Sequence, residues 1–164
     1  MNNPRPPADD SYGIRLGGVR RVLAYGQTSI DQYRKNAVNG ASPLRLVVML
    51  YDGCLKFIEA TKHAMSQGDL FKQNEQCQKA QNIVAELMSS LDMKRGGDIA
   101  QNLFALYSYV YDRLVQANLE DNPVYLDQAL KVMSDLRESW VELERQQAAG
   151  QLNPAGEPVG TDAA

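Results

Sequence analysis

Apolar positions recur at helical spacing through most of this chain, most densely over residues 98–118, DIAQNLFALYSYVYDRLVQAN. That stretch holds no Pro or Gly and follows a Gly-Gly pair. At 3.6 residues per turn it makes one helix of about six turns. Ile99, Leu103, Leu106, Tyr107, Val110, Leu114 and Ala117 fall at i, i+3, i+4 and i+7, which predicts a core stripe. Phe104, Tyr111 and Val115 fall beside the stripe rather than opposite it, so the apolar arc spans about half the circumference. A helix this apolar either sits in the middle of a bundle, or sits there and also offers a groove to another chain.

Three further helices frame it. Ser42 is an N-cap and Pro43 occupies the first helical position of a helix over 43–66. Leu44, Val47, Val48, Tyr51, Leu55 and Ile58 form its core face, and Leu46, Leu50, Gly53, Phe57 and Ala64 form a second seam on one flank. Glycine in a helix costs about 1 kcal/mol relative to alanine. Gly53 within an apolar seam therefore suggests a close neighbour, either a helix of the same bundle or one from a partner. Gly68 and Asp69 turn the chain into a helix over 70–93 with Cys77, Ala80, Val84, Leu87, Met88 and Leu91 inward and amides elsewhere. Lys94, Arg95, Gly96 and Gly97 end it, and Asp98 caps the central helix. Asn122-Pro123 opens a last helix over 123–148, with Leu126, Ala129, Leu130, Met133, Leu136, Arg137 and Trp140 on one face. Four long helices with short connections predict an all-α, antiparallel, up-down-up-down four-helix bundle. Residues 1–24 are rich in Pro and Gly and read as a disordered extension. Thr28 or Ser29 caps a short helix carrying Ile30 and Tyr33, which needs the bundle domain of residues 25–148 to lie on. The tail over 149–164 reads as disordered.

Composition narrows the function. The chain has 164 residues, 44% hydrophobic and 23% charged, enough for one domain with a real core. A net charge of -3 supplies no field for nucleic acid or an anionic membrane. No apolar run reaches the roughly 18 residues of a membrane span, and no signal-peptide pattern opens the chain, so neither membrane insertion nor a secretory signal is expected. Cys54 and Cys77 fall at apolar or border positions of helices and are expected as buried free thiols. A di-iron bundle needs Glu-x-x-His pairs from two helices, and the chain has a single histidine, His63. No GxSxG and no phosphate-binding GxxxxGK[ST] is present, so no enzyme chemistry, cofactor or metal site is expected. His63 on the polar side of a bundle helix leaves a phosphotransfer signalling module as the alternative reading. The surplus apolar surface instead favours binding of an amphipathic helix.

The residues also resemble a known family. MLYDG over 49–53, after Ala41-Ser42-Pro43, resembles the first long helix of the flagellar export chaperone for flagellin, the FliS family. So do GG-IA-NL--LY-Y over 96–109, RL--AN over 113–118, LR--W over 136–140, and Tyr33 ten residues before Pro43. The resemblance spans about residues 25–146. It implies a cytosolic protein that binds the C-terminal segment of new flagellin, prevents premature polymerisation and escorts it to the flagellar type III export gate. It also implies that the chaperone's own N-terminal segment covers part of the binding surface until displaced, which brings in Ile30 and Tyr33. Tyr51, Asp52 and Gly53 carry over with the first motif; Ile99, Asn102, Leu103, Leu106, Tyr107 and Tyr109 carry over with the second. The surplus-apolar argument adds Leu46, Leu50, Phe57, Phe104 and Tyr111 as partner-binding residues. A monomer or weak homodimer is expected. Ser108 stands where the family often has Asp, and the extension to Val22 is longer than family members usually carry.

Overall fold

A computed structural model of the chain describes residues 42–150 and Gly160. The segment carrying Ile30 and Tyr33, the 1–24 extension and nearly all of the tail lie outside the described residues. Four helices follow one another: α1 (Pro43–Ser66), α2 (Leu70–Ser89), α3 (Met93–Glu120) and α4 (Pro123–Ala148). The Ser42 side chain accepts from the Arg45 N–H and Pro43 stands in the first turn, as the start signal predicts. Asn122 does the same for α4, accepting from the Val124 N–H, again with proline in the first turn.

The connectors are only two or three residues long, so each helix runs against its predecessor. Cross-links between helix ends mark the directions. Arg45 at the start of α1 pairs with Glu144 near the end of α4 at 3.5 Å, and Lys62 near the end of α1 pairs with Asp127 near the start of α4 at 2.6 Å. Gln73 in the first turns of α2 donates to Asp121, just past α3, at 2.7 Å. Helices α1 to α4 form a ring in chain order, closed by α4 against α1. This is the expected all-α antiparallel bundle.

The core is built from side chains spaced by three and four. On α3 these are Ala100, Leu103, Tyr107, Val110, Leu114 and Ala117. On α2 they are Gln73, Cys77, Ala80, Ile83, Val84 and Leu87, and on α4 Leu126, Ala129, Met133 and Trp140. Each fully buried large aliphatic side chain contributes roughly 1.5–3 kcal/mol of transfer free energy. Cys54 and Cys77 are buried free thiols.

Three local expectations need correction. First, α2 stops at Ser89, and the residues expected to end it begin α3 instead. The Asp92 carboxylate accepts from the Lys94 and Arg95 N–H groups and starts a helical turn. Gly97, at φ 49 and ψ -129, then kinks the chain before the long regular part of α3. Second, Ile99 and Leu106 are exposed rather than in the core stripe, because Ala100 takes the core position in that turn and fixes the buried face to one side of them. Third, Leu46 and Leu50 offer no spare surface: both lie in the core cluster. Gly53 of their seam faces Ile83 of α2, whose Cδ1 lies 3.5 Å from where a Cβ would stand. The close neighbour is thus a helix of the same bundle.

An apolar groove beside the central helix

On α3 the buried face leaves Phe104 and Tyr111 on the flank that turns toward α2. The two are 44% and 37% exposed, too much for core residues and too apolar for an ordinary solvent face. With Ala85, Met88 and Ser89 of α2 they line an open groove of about 380 Å³ whose walls are almost wholly apolar. Ser108 lies between them in sequence, and its hydroxyl donates to the Phe104 carbonyl. That satisfies the hydroxyl within the helix and leaves the rings as the dominant surface.

The opposite flank of α3 carries Leu106 and Tyr109, also exposed. Here Arg113 sits over the rings of Tyr109 and Tyr125, at 5.3 Å and 5.1 Å from their centroids, and pairs with Asp112. These contacts tie the flank to α4, because Tyr125 and Gln128, which accepts from Arg113, both belong to α4. Guanidinium stacking on aromatic faces is stabilising and holds ring orientation. Ile99, 70% exposed, and Asn102 extend the exposed surface toward the start of α3. The structure therefore brings Ile99, Asn102, Phe104, Leu106, Tyr109 and Tyr111 to the outside of one helix.

The other residues expected to bind a partner are wholly or partly packed within the bundle. Leu46, Leu50, Tyr51, Leu103 and Tyr107 are buried. The Tyr51 and Tyr107 hydroxyls hydrogen-bond each other across the core, and Tyr51 also packs against Trp140 with ring centroids 6.4 Å apart. Burial pushes the Tyr51 phenol up to about 12 and lifts Tyr107 well above its ordinary value, so the pair is neutral. Asp52 is half-buried and ion-paired with Arg137 of α4. Phe57 is half-buried against the core, with the Lys79 ammonium of α2 5.8 Å from its ring centroid. These side chains build the frame that supports α3. Ile30 and Tyr33 lie outside the described residues.

Sequence reasoning missed a second set of exposed apolar residues, Leu70, Phe71, Leu119 and Val124, at the helix ends. Their signal was present at α2: the Asp69 N-cap is followed at once by two large apolar residues, Leu70 and Phe71, at the open end of a helix. Among the described residues no group of His, Cys, Asp and Glu is arranged to hold a metal, and no helix is long and apolar enough to cross a membrane.

Residues 26–147 match the family described as flagellar protein FliS. The chain belongs to this family. It is 37% identical over 127 residues to the flagellar secretion chaperone FliS of Bacillus subtilis, covering 76% of this chain and 94% of that protein. It is 35% identical over 123 residues to the protein of the same description from Salmonella typhimurium, covering 74% and 88%. A third relative, from Vibrio cholerae, is 33% identical, covering 74% and 87%. Membership makes the chain a flagellar secretion chaperone and not an enzyme. The phosphotransfer reading of His63 loses its footing with it: His63 is an exposed side chain in the last turn of α1, and the family is one of chaperones.

Proposed function

We propose that this FliS family member is a cytoplasmic chaperone that binds the C-terminal segment of flagellin, keeps it from polymerising early and escorts it to the flagellar export gate. The observation that supports this reading most is the α2/α3 groove, where Phe104, Tyr111 and Met88 present apolar surface that the bundle itself does not cover. A soluble bundle with such a groove suits an amphipathic helix laid along it. Leu106 and Tyr109 on the other flank of α3 would extend the contact around the same helix, with Ile99 and Asn102 at its start.

The mechanism is mass action. A flagellin terminus without fixed structure gains helix on the apolar surface, and the complex hides the faces that drive filament assembly. Ordering a disordered segment costs about 2–5 kcal/mol of the gross interaction, so the contact has to be extensive. Apolar burial at roughly 25 cal/mol per Å² over several aromatic and aliphatic side chains offsets that cost. Ile30 and Tyr33 would shield the same surface until flagellin displaces them.

The test is capture of flagellin by the purified protein, with and without the last ~40 flagellin residues, a length that forms the helices groove binding requires. Full-length flagellin should be retained and the shortened form lost. Equal retention of both would reject the terminal segment as the ligand.

A further inference from the structure

A second apolar surface lies at the end of the bundle where α1 and α3 finish and α2 and α4 begin. Phe71 is 83% exposed and Leu119 is 73% exposed, with Leu70 and Val124 also largely in solvent. The end is one place: Gln73 of α2 donates to both Asn118 and Asp121, and the Asn122 N–H bonds the Ala117 carbonyl. Leu119 is eight residues along α3 from Tyr111 and fifteen from Phe104, so this surface lies about 12 Å from the near edge of the groove and about 22 Å from its far edge. Its rim is acidic. Asp69, Glu120 and Asp121 stand within it; Asp127 is matched by Lys62, and Lys72 is the other cation nearby.

The chain holds a stretch of complementary chemistry. Residues 14–23, IRLGGVRRVL, alternate Ile14, Leu16, Val19, Val22 and Leu23 with Arg15, Arg20 and Arg21, and no acidic residue lies between Asp10 and Asp31. This stretch precedes residue 26, where the family match begins, so the shared chaperone fold does not account for it. Reach is sufficient. The 24 residues of α1 put Ser42 about 36 Å from the apolar end, and residues 24–41 span up to roughly 60 Å when extended.

We propose that residues 14–23 dock, within the same molecule, on the end surface formed by Leu70, Phe71, Leu119 and Val124, with the three arginines facing the acidic rim. Apolar side chains of the arm cover the exposed rings and methyls, and the arginines set orientation. The arm thereby removes a patch that would otherwise promote association between copies. Because the surface is separate from the α2/α3 groove, this docking does not depend on flagellin binding.

The test uses the full chain and no flagellin. A nitroxide is attached to a Gly18→Cys variant; Cys54 and Cys77 are buried, so labelling is selective. Amide signals of residues 70–73 and 117–124 should lose most intensity, while those of 99–104, more than about 20 Å away along α3, keep it. About 0.5 M salt, where the screening length falls to about 4 Å, should weaken the loss. Adding Phe71→Ser and Leu119→Ser should abolish it, with an unchanged melting temperature because both side chains are exposed. Loss centred on 99–111, loss spread evenly over the bundle, or loss unaffected by the double substitution would overturn the proposal. So would loss seen only when spin label and isotope label are on different molecules, which would mean docking on a second copy.

Discussion

At the residue scale the Tyr51–Tyr107 pair joins α1 to α3 through the centre of the bundle, and each hydroxyl is the other's buried partner. Removing one hydroxyl leaves the other without it. Tyr107→Phe or Tyr51→Phe should therefore each destabilise the fold by about 1–3 kcal/mol, while the double variant should cost less than the sum. Urea denaturation of the three variants checks this. The same burial sets an alkaline limit. Burial raises the Cys54 thiol from 9.0 to about 12, the Cys77 thiol to about 11 and the Tyr51 phenol from 10.0 to about 12. The folded chain keeps these protons at pH values where the unfolded chain releases them. The stabilisation is thus complete below about pH 9 and is lost as pH rises from there toward 12. Denaturation midpoints measured against pH should fall across that window, and Cys54→Ala should make the fall shallower. Native thiols should resist a thiol reagent at pH 8 and react fully in denaturant.

At the scale of the element, α3 shows where periodicity is informative and where it stops. Leu103, Tyr107, Val110, Leu114 and Ala117 were legible as core because they hold a strict three-four spacing. Ile99 and Leu106 were not separable from them, because they also lie within a turn of core positions; only the packing of Ala100 shows which side of the arc is buried. On α1 periodicity shows the apolar arc but not what covers it, since an apolar flank looks the same whether α2 or a foreign chain lies on it; the structure puts Leu46 and Leu50 in the core. The consequence is measurable. Leu50→Ala should cost about 2–5 kcal/mol, because it empties core volume, and Leu50→Glu should prevent folding altogether. Phe104→Ser should leave stability nearly unchanged. The start of α3 carries a different constraint. Gly97 has positive φ and open space around its α-carbon, so Gly97→Ala should cost about 1–3 kcal/mol through backbone strain alone, read as a lowered denaturation midpoint.

At the scale of the whole molecule, the bundle was legible because Ser42-Pro43, Gly68-Asp69 and Asn122-Pro123 mark three helix starts, whereas the sequence places the cap of the central helix at Asp98 and the structure places it at Asp92. The candidate binding surface was only partly legible, because exposure depends on which helix neighbours which, and the sequence does not state the order around the ring. The arrangement leaves α3 with apolar groups on both flanks, while α1 uses its own within the core. On the proposed reading, a flagellar secretion chaperone built this way would hold flagellin on α3 without opening its core. Calorimetry with a flagellin C-terminal segment tests this directly on a Phe104→Ser, Tyr111→Ser variant shown to keep its helicity and melting temperature. Loss of two anchoring rings, at about 1.4 kcal/mol per factor of ten, should weaken binding at least tenfold. Unchanged affinity in that folded variant would contradict the account.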